Sequence, residues 1–269
     1  MVNLLLKGYL WTRSTDKAKK ALISWEQLCK PKAAGGLNFT DILEWNRAAI
    51  SKLLWNLSHK KDKLWILKSK KYFEKAGYTY ADYLHMPKFS IQCFYRTLQP
   101  IYPKVPWRKM ICNNYGVPKW IFTFRVAAMG RLYTRDRLAK WGIANILDYP
   151  LCNNAHESIR HLYFMCPFSN YVWTQLLAWQ GINKAPQDWE VELAWISRNT
   201  RKSGEAEIFR MVAAGCIYHI WKERNYRIFQ AKTRTAKQVI KTVIQEVCYR
   251  GNVRAGIERR LRAMNFYPV

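Results

Sequence analysis

The sequence predicts a mostly α-helical protein. Two observations carry the class. Apolar residues recur at helical spacing in successive windows, and no regular apolar–polar alternation of the kind that marks a half-buried strand recurs. A third observation shapes the architecture. Cys152, His161 and Cys166 share one short stretch and have the residue types of three corners of a small tetrahedral zinc site. The expected layout is a helical N-terminal region followed by a helical domain built around a degenerate zinc-finger-like segment.

In chain order, Thr15 to Leu28 reads as a basic amphipathic helix. Ala18, Leu22, Trp25 and Cys29 share one face, with Lys17, Lys19 and Lys20 mainly off it. Pro31-Lys32-Ala33-Ala34-Gly35-Gly36-Leu37 is a loop. It lacks the Gly-Lys-Ser/Thr ending and the preceding strand of a nucleotide-binding loop. Thr40 is the expected N-cap of the next helix, with Asp41 in its first turn. Asn46, Ala49, Ile50, Leu53, Leu54 and Leu57 supply its stripe. A further helix is expected from Leu64 to Lys75, ended by Gly77.

Pro87, Pro100, Pro103 and Pro106 then interrupt the chain and set a boundary at residue 103. Beyond it, Trp107 to Asn114 is a short helix, and Pro118 opens one that carries Trp120, Phe124 and Ala127. Thr134 caps Arg135 to Trp141, and Gly142 stops it. Ser169 to Trp179 and Glu205 to Phe229 are helices. The second is nearly uncharged from Met211 to Trp221, which implies burial on several faces. Thr235 and Gln238 have capping-box spacing for a last helix with Ile240, Val243, Ile244 and Val247 inward. Three regions follow: 1–103, 104–200 and 201–269.

The charge is extreme, with 45 Lys+Arg against 18 Asp+Glu, a formal net charge of +27. Such a surface calls for a polyanionic partner, nucleic acid first. The excess avoids one window, since 151–200 holds three basic and four acidic residues. Phosphate contacts are therefore expected on the flanks of the finger rather than in its second half. Arg125, Arg131, Arg135, Arg137 and Lys140 lie before it, interleaved with Trp120, Phe122, Phe124, Tyr133 and Trp141. Arg250, Arg254, Arg259, Arg260 and Arg262 lie in the tail. Arginines neutralise phosphates and exposed aromatics stack on unpaired bases, a mixture that favours RNA or single-stranded DNA. For most of these aromatics the competing role is core packing.

The zinc site needs a fourth ligand. His156 would complete a Cys152-x3-His156-x4-His161-x4-Cys166 set, and Asp148 is the other candidate. The alternative is a lost metal, with the cysteines and histidine kept as packing. Catalysis is not expected. The chain has no adjacent Asp pair to hold two metal ions for phosphoryl chemistry. His156 and His161, five apart, do not match the His-Glu-x-x-His spacing of a zinc hydrolase. The seven cysteines are scattered and odd in number, as expected for a reducing compartment. No stretch reaches the roughly 20 apolar residues of a membrane span, so no membrane partner is expected. A nuclear or cytoplasmic location is expected, nuclear preferred.

Several segments together resemble the C-terminal part of plant LINE-type, non-LTR retrotransposon reverse transcriptases, including their zinc-binding domain. Tyr9-Leu10-Trp11, Ser24-Trp25-Glu26-Gln27-Leu28-Cys29-Lys30-Pro31-Lys32, Gly35-Gly36-Leu37 and Trp45-Asn46-Arg47-Ala48 resemble the segment after the polymerase palm. Pro118-Lys119-Trp120 and Arg131-Leu132-Tyr133-Thr134-Arg135-Asp136-Arg137-Leu138 resemble the entry to the zinc-binding domain. Glu157-Ser158, His161-Leu162, Cys166, Ser169 and Trp173 resemble its core, and Ile220-Trp221-Lys222-Glu223-Arg224-Asn225 with Ile228-Phe229 the segment beyond. The resemblance implies metal ligands at Cys152, His161 and Cys166, with Tyr149 standing where the family usually has its first Cys. It implies nucleic-acid handling without the palm. The partners expected are nucleic acid and a separately encoded polymerase or ribonucleoprotein. The competing class is a protein-interaction or scaffold module in such a complex.

Overall fold

The computed structural model describes residues 22–59, 74, 77, 88–143, 149–152, 155–199 and 204–264. The expected helix over Leu64 to Lys75, most of the one from Thr15, and Asp148 lie outside them. The described residues are mostly helical and contain no strand. The chain packs as two units, Met1–Pro103 and Lys104–Val269. The region 201–269, set apart in the sequence reading, packs within the second unit.

In the first unit, α1 (Trp25–Cys29) is capped by Ser24, whose hydroxyl accepts from the Gln27 amide at 3.3 Å. A 3₁₀ turn, Lys32–Ala34, then folds the chain back, so that the Leu37 amide donates to the Leu28 carbonyl at 2.9 Å. Gly36 is required there, because a Cβ would sit 1.9 Å from the Lys30 carbonyl oxygen. The glycine pair thus serves a tight return. The cap of α2 (Ile42–His59) corrects the sequence reading. Asp41, not Thr40, accepts from the Leu43 and Glu44 amides, at 2.9 and 3.3 Å. Tyr95 Oη accepts from the Asp41 amide at 2.9 Å. This ties the cap to α3 (Ile91–Leu98), which packs on α2 through Ala48, Phe89, Phe94 and Leu98.

The second unit is organised around one long helix. Its elements are α4 (Arg108–Cys112), α5 (Pro118–Ala128), α6 (Arg135–Ala139), a π-helical turn (His161–Met165), α7 (Pro167–Trp179), α8 (Trp189–Arg198), α9 (Gly204–Phe229), α10 (Ala236–Gly251) and α11 (Ala255–Ala263). Helix α9 packs against α5, α7, α10, α11 and the π turn. That central position explains its uncharged middle, since Met211 to Ile217 are all buried, with His219 and Ile220. Gly215 lets α5 and α10 approach closely, with Trp120 and Val243 atoms each 3.4 Å from where its Cβ would stand. Thr235 and Gln238 form the reciprocal capping box at the start of α10.

Among the described residues, three fully buried carboxylates tie the helices together. Glu157 binds Arg224, Glu223 binds Arg227 and Arg234, and Glu192 accepts from Trp173 Nε1 and pairs with Lys184.

His219 is also fully buried, with no hydrogen-bond partner for either ring nitrogen. Glu246 lies 3.5 Å away, without hydrogen-bond geometry. Burial, then Arg234, Lys222 and Lys119, depress its pKa to about 3. The imidazole is neutral in the fold and charges on unfolding, so its contribution is complete above the unfolded value of about 6.5 and is lost as pH falls toward 3. Urea unfolding should show up to about 2.5 kcal/mol less stability at roughly pH 4.5 than at roughly pH 7.5 from this group. The slope should flatten in His219→Gln.

Candidate metal centre and basic surface

The finger segment is built on an unusual turn. Residues His161–Met165 are π-helical, and the Cys166 amide donates to the His161 carbonyl at 2.9 Å, an i to i+5 bond. In an α-helix, five residues would turn the two side chains well apart. The wider π turn brings residue i+5 much closer to the direction of residue i than an α-helix does. Pro167 then opens α7 at a position where its missing N–H costs nothing.

This turn places His161 and Cys166 beside Cys152. Their ligand atoms all lie within 4.8 Å of one another, and Cys152 Sγ is 3.1 Å from His161 Nε2. Zinc bonds of about 2.0–2.3 Å in a tetrahedron separate ligand atoms by about 3.3–3.8 Å. Small side-chain adjustments therefore suit the three groups to the ion. Burial lowers the His161 pKa, which keeps the imidazole neutral and ligand-competent. Burial pushes the Cys166 thiol up to about 11, opposed by the Ser169 amide and reinforced by Cys152. A cation between the sulfurs reverses that penalty.

Among the described residues no fourth thiol or imidazole joins this group. His156 is exposed and lies outside the convergent group, so the sequence expectation of a Cys-His-His-Cys set is not what the fold assembles. Five residues before His161, on a segment that is not helical, its side chain is not turned inward. Tyr149 is fully buried instead. Its ring meets His161 edge-on at 5.3 Å and its hydroxyl donates to the Leu162 carbonyl at 3.3 Å. Burial raises its pKa well above the ordinary value, so it stays a neutral phenol. Among the described residues three ligands converge for zinc, Cys152, His161 and Cys166.

The expected phosphate contacts separate into two kinds. Arg125 is a correction. It is 3% exposed on α5, and burial lowers its pKa. It packs inside the helical unit and presents no surface to a bound strand. Arg131 and Lys140 are exposed. Arg135 leans on Glu157 at 4.0 Å, and Arg137 lies 4.8 Å from the Trp141 ring centroid. Trp120 and Phe124 are fully buried and unavailable for base stacking. Tyr133 and Trp141 are half-buried.

In the tail, Arg250 donates to the Tyr115 carbonyl at 3.4 Å and Arg254 stacks on the Tyr115 ring. Arg259, Arg260 and Arg262 are exposed on α11. Arg260 and Arg262 reach Glu205 and Glu258 at 3.4 and 2.6 Å, surface pairs that contribute little. Sequence reasoning missed Arg224, whose guanidinium holds Glu157 from 67 positions away. Both residues sit in the segments that resemble the retroelement family, and that was the available signal.

Comparison with known proteins supports the same region. The family described as zinc-binding in reverse transcriptase matches residues 89–173. This span contains Cys152, His161 and Cys166. An Arabidopsis thaliana protein named "Putative ribonuclease H protein" is 40% identical over 63 residues, which are 23% of this chain and 10% of that protein. The chain thus spans about a tenth of the length of the relative it matches. No solved structure matches. These similarities support a retroelement-derived protein that carries a segment like the zinc-binding domain of reverse transcriptase.

Proposed function

We propose that the chain is a non-catalytic nucleic-acid-binding protein, with RNA preferred over DNA, descended from a plant LINE-type reverse transcriptase. The observation that carries the reading is the distribution of charge. The net charge is +27, and among the described residues three acidic side chains, Glu157, Glu192 and Glu223, are fully buried. Arg125, Arg210 and Arg224 are buried as well, so the buried charges of the described residues balance and the excess of cations is left outside the core. Arg131, Lys140 and the α11 arginines are the exposed groups to meet phosphates. The zinc-binding-like segment would serve as a scaffold that holds these flanks. The non-catalytic part of the reading rests on the missing Asp pair.

Fluorescence anisotropy with a labelled single-stranded oligoribonucleotide tests the proposal. Affinity should fall about 100-fold or more between roughly 50 and 200 mM salt, as expected for about five phosphate contacts. A DNA strand of the same sequence should bind more weakly. An affinity that is flat with salt would sink the reading.

A further inference from the structure

We propose that the Asn114–Tyr115–Gly116 loop and the arginines around it form a binding site for one phosphate group. The inference deepens the nucleic-acid reading and rests on it for the source of the phosphate, a backbone phosphodiester.

The site begins with a buried cation. Arg210, in the first half of α9, is 4% exposed, and its Nε has no hydrogen-bond partner. Among the described residues no carboxylate lies within ion-pair distance of it. Glu207, one turn earlier on α9, attracts it without pairing. Removal from water lowers its pKa, yet a guanidinium stays charged. A buried, uncompensated charge is strongly unfavourable; Arg224, equally buried, has a carboxylate, whereas Arg125 on α5 shares with Arg210 a buried Nε without a partner.

The loop beside Arg210 is held in place. Asn114 Nδ2 donates to the Arg210 carbonyl at 2.7 Å, while its Oδ1 accepts from the Gly116 amide at 2.8 Å. This side chain locks the loop onto α9 and brings Tyr115 next to Arg210. Two further arginines reach Tyr115 from the C-terminal helices. Arg250 Nη2 donates to its carbonyl at 3.4 Å, and the Arg250 Nε is itself buried without a partner. The Arg254 guanidinium carbon lies 3.6 Å from the Tyr115 ring centroid, stacked on the ring.

Three arginines thus surround the loop: Arg250 and Arg254 touch Tyr115, and Arg210 lies on the stretch of α9 that holds Asn114, with Glu207 as the nearby acid. Two of them keep buried Nε donors unused. Fork-shaped donors in excess of acids match the several acceptor oxygens and negative charge of a phosphate. Stacking on Tyr115 fixes the plane of Arg254 and leaves its edge free to donate.

The test uses the full chain with two probes, inorganic phosphate and a labelled single-stranded oligoribonucleotide. Phosphate at about ten times its Kd should raise the melting temperature by about 3 °C over chloride at equal ionic strength. Arg254→Gln, an exposed change, and Arg210→Met should each abolish that rise. Each should weaken the oligonucleotide at least about 5-fold and lower the salt slope by about 0.7. Arg259→Gln, outside the cluster, should keep the phosphate shift. If Arg210→Met fails to fold, Arg254→Gln alone decides. A wild-type protein without the shift, or an Arg254→Gln protein that keeps it, overturns the site even if the oligonucleotide binds. A shift lost in the variants, with no oligonucleotide binding by the wild type, leaves the site standing with free phosphate as its ligand. That outcome removes the nucleic-acid reading.

Discussion

Replacing Glu157 by Ala is expected to destabilise the second unit by about 3–5 kcal/mol, the usual consequence of leaving one half of a buried ion pair alone. Glu157 is fully buried and Arg224 is 3% exposed. Arg224 Nη2 donates to Glu157 Oε1 at 2.7 Å, and Nε lies 3.1 and 3.2 Å from the two carboxylate oxygens. The Arg135 amide also donates to Oε1, at 3.2 Å. One carboxylate therefore joins α9, the start of α6 and the segment that leads into the π turn. Its loss leaves a buried guanidinium and an amide without their acceptor. The melting temperature should fall by roughly 6–20 °C at about 2–4 °C per kcal/mol. Adding Arg224→Met should recover much of the loss, because two apolar side chains leave no charge unpaired. Glu190→Ala, which removes a mostly exposed partner of Arg160, should change stability by under about 0.5 kcal/mol. Should Glu157→Ala melt within a degree or two of the parent, the pair does not hold this junction.

The helical class and most element positions were legible because they depend on local signals. The capping box at Thr235, the Pro118 start and the uncharged middle of α9 each rest on neighbours within a few residues. The Asp41 cap was misassigned by one position, since two adjacent residues can both cap. The Asp41 amide donates to Tyr95 Oη, 54 positions away, a contact that no local pattern shows. The candidate metal site was legible as residue types, and its three-membered set follows from their convergence. What the sequence could not show is the π turn that makes an i, i+5 pair usable, nor that His156 stays outside. Arg125 illustrates the remaining gap. A charge in a basic stretch reads as surface, and only the packing of α5 reveals that it is buried. Long-range pairs such as Glu157–Arg224 leave no local pattern at all.

Zinc titrated into the reduced protein is expected to bind at about one ion per chain through Cys152, His161 and Cys166. Cys166→Ser and His161→Ala should weaken it by more than about 100-fold, beyond the 10–100-fold effect of outer-shell changes. His156→Ala should leave stoichiometry and affinity unchanged, because that imidazole is exposed and outside the group. Cobalt substitution distinguishes the ligand sets, since thiolate-to-metal absorption should report two thiolates and drop by about half in Cys166→Ser. Tyr149 decides how tightly the ion is held. With three ligands from the described residues and a buried neutral phenol bonded to the Leu162 carbonyl beside them, exchange should be faster than in a closed four-ligand site. Tyr149→Cys puts a thiol three residues before Cys152, in the wall beside His161. It should tighten zinc by at least about 10-fold while it destabilises the metal-free protein by about 3–5 kcal/mol through the cavity that the ring leaves. The two effects have opposite signs in one variant. Zinc should therefore raise its melting temperature far more than that of the parent, and equal shifts in the two proteins would show that the fourth corner does not lie at residue 149.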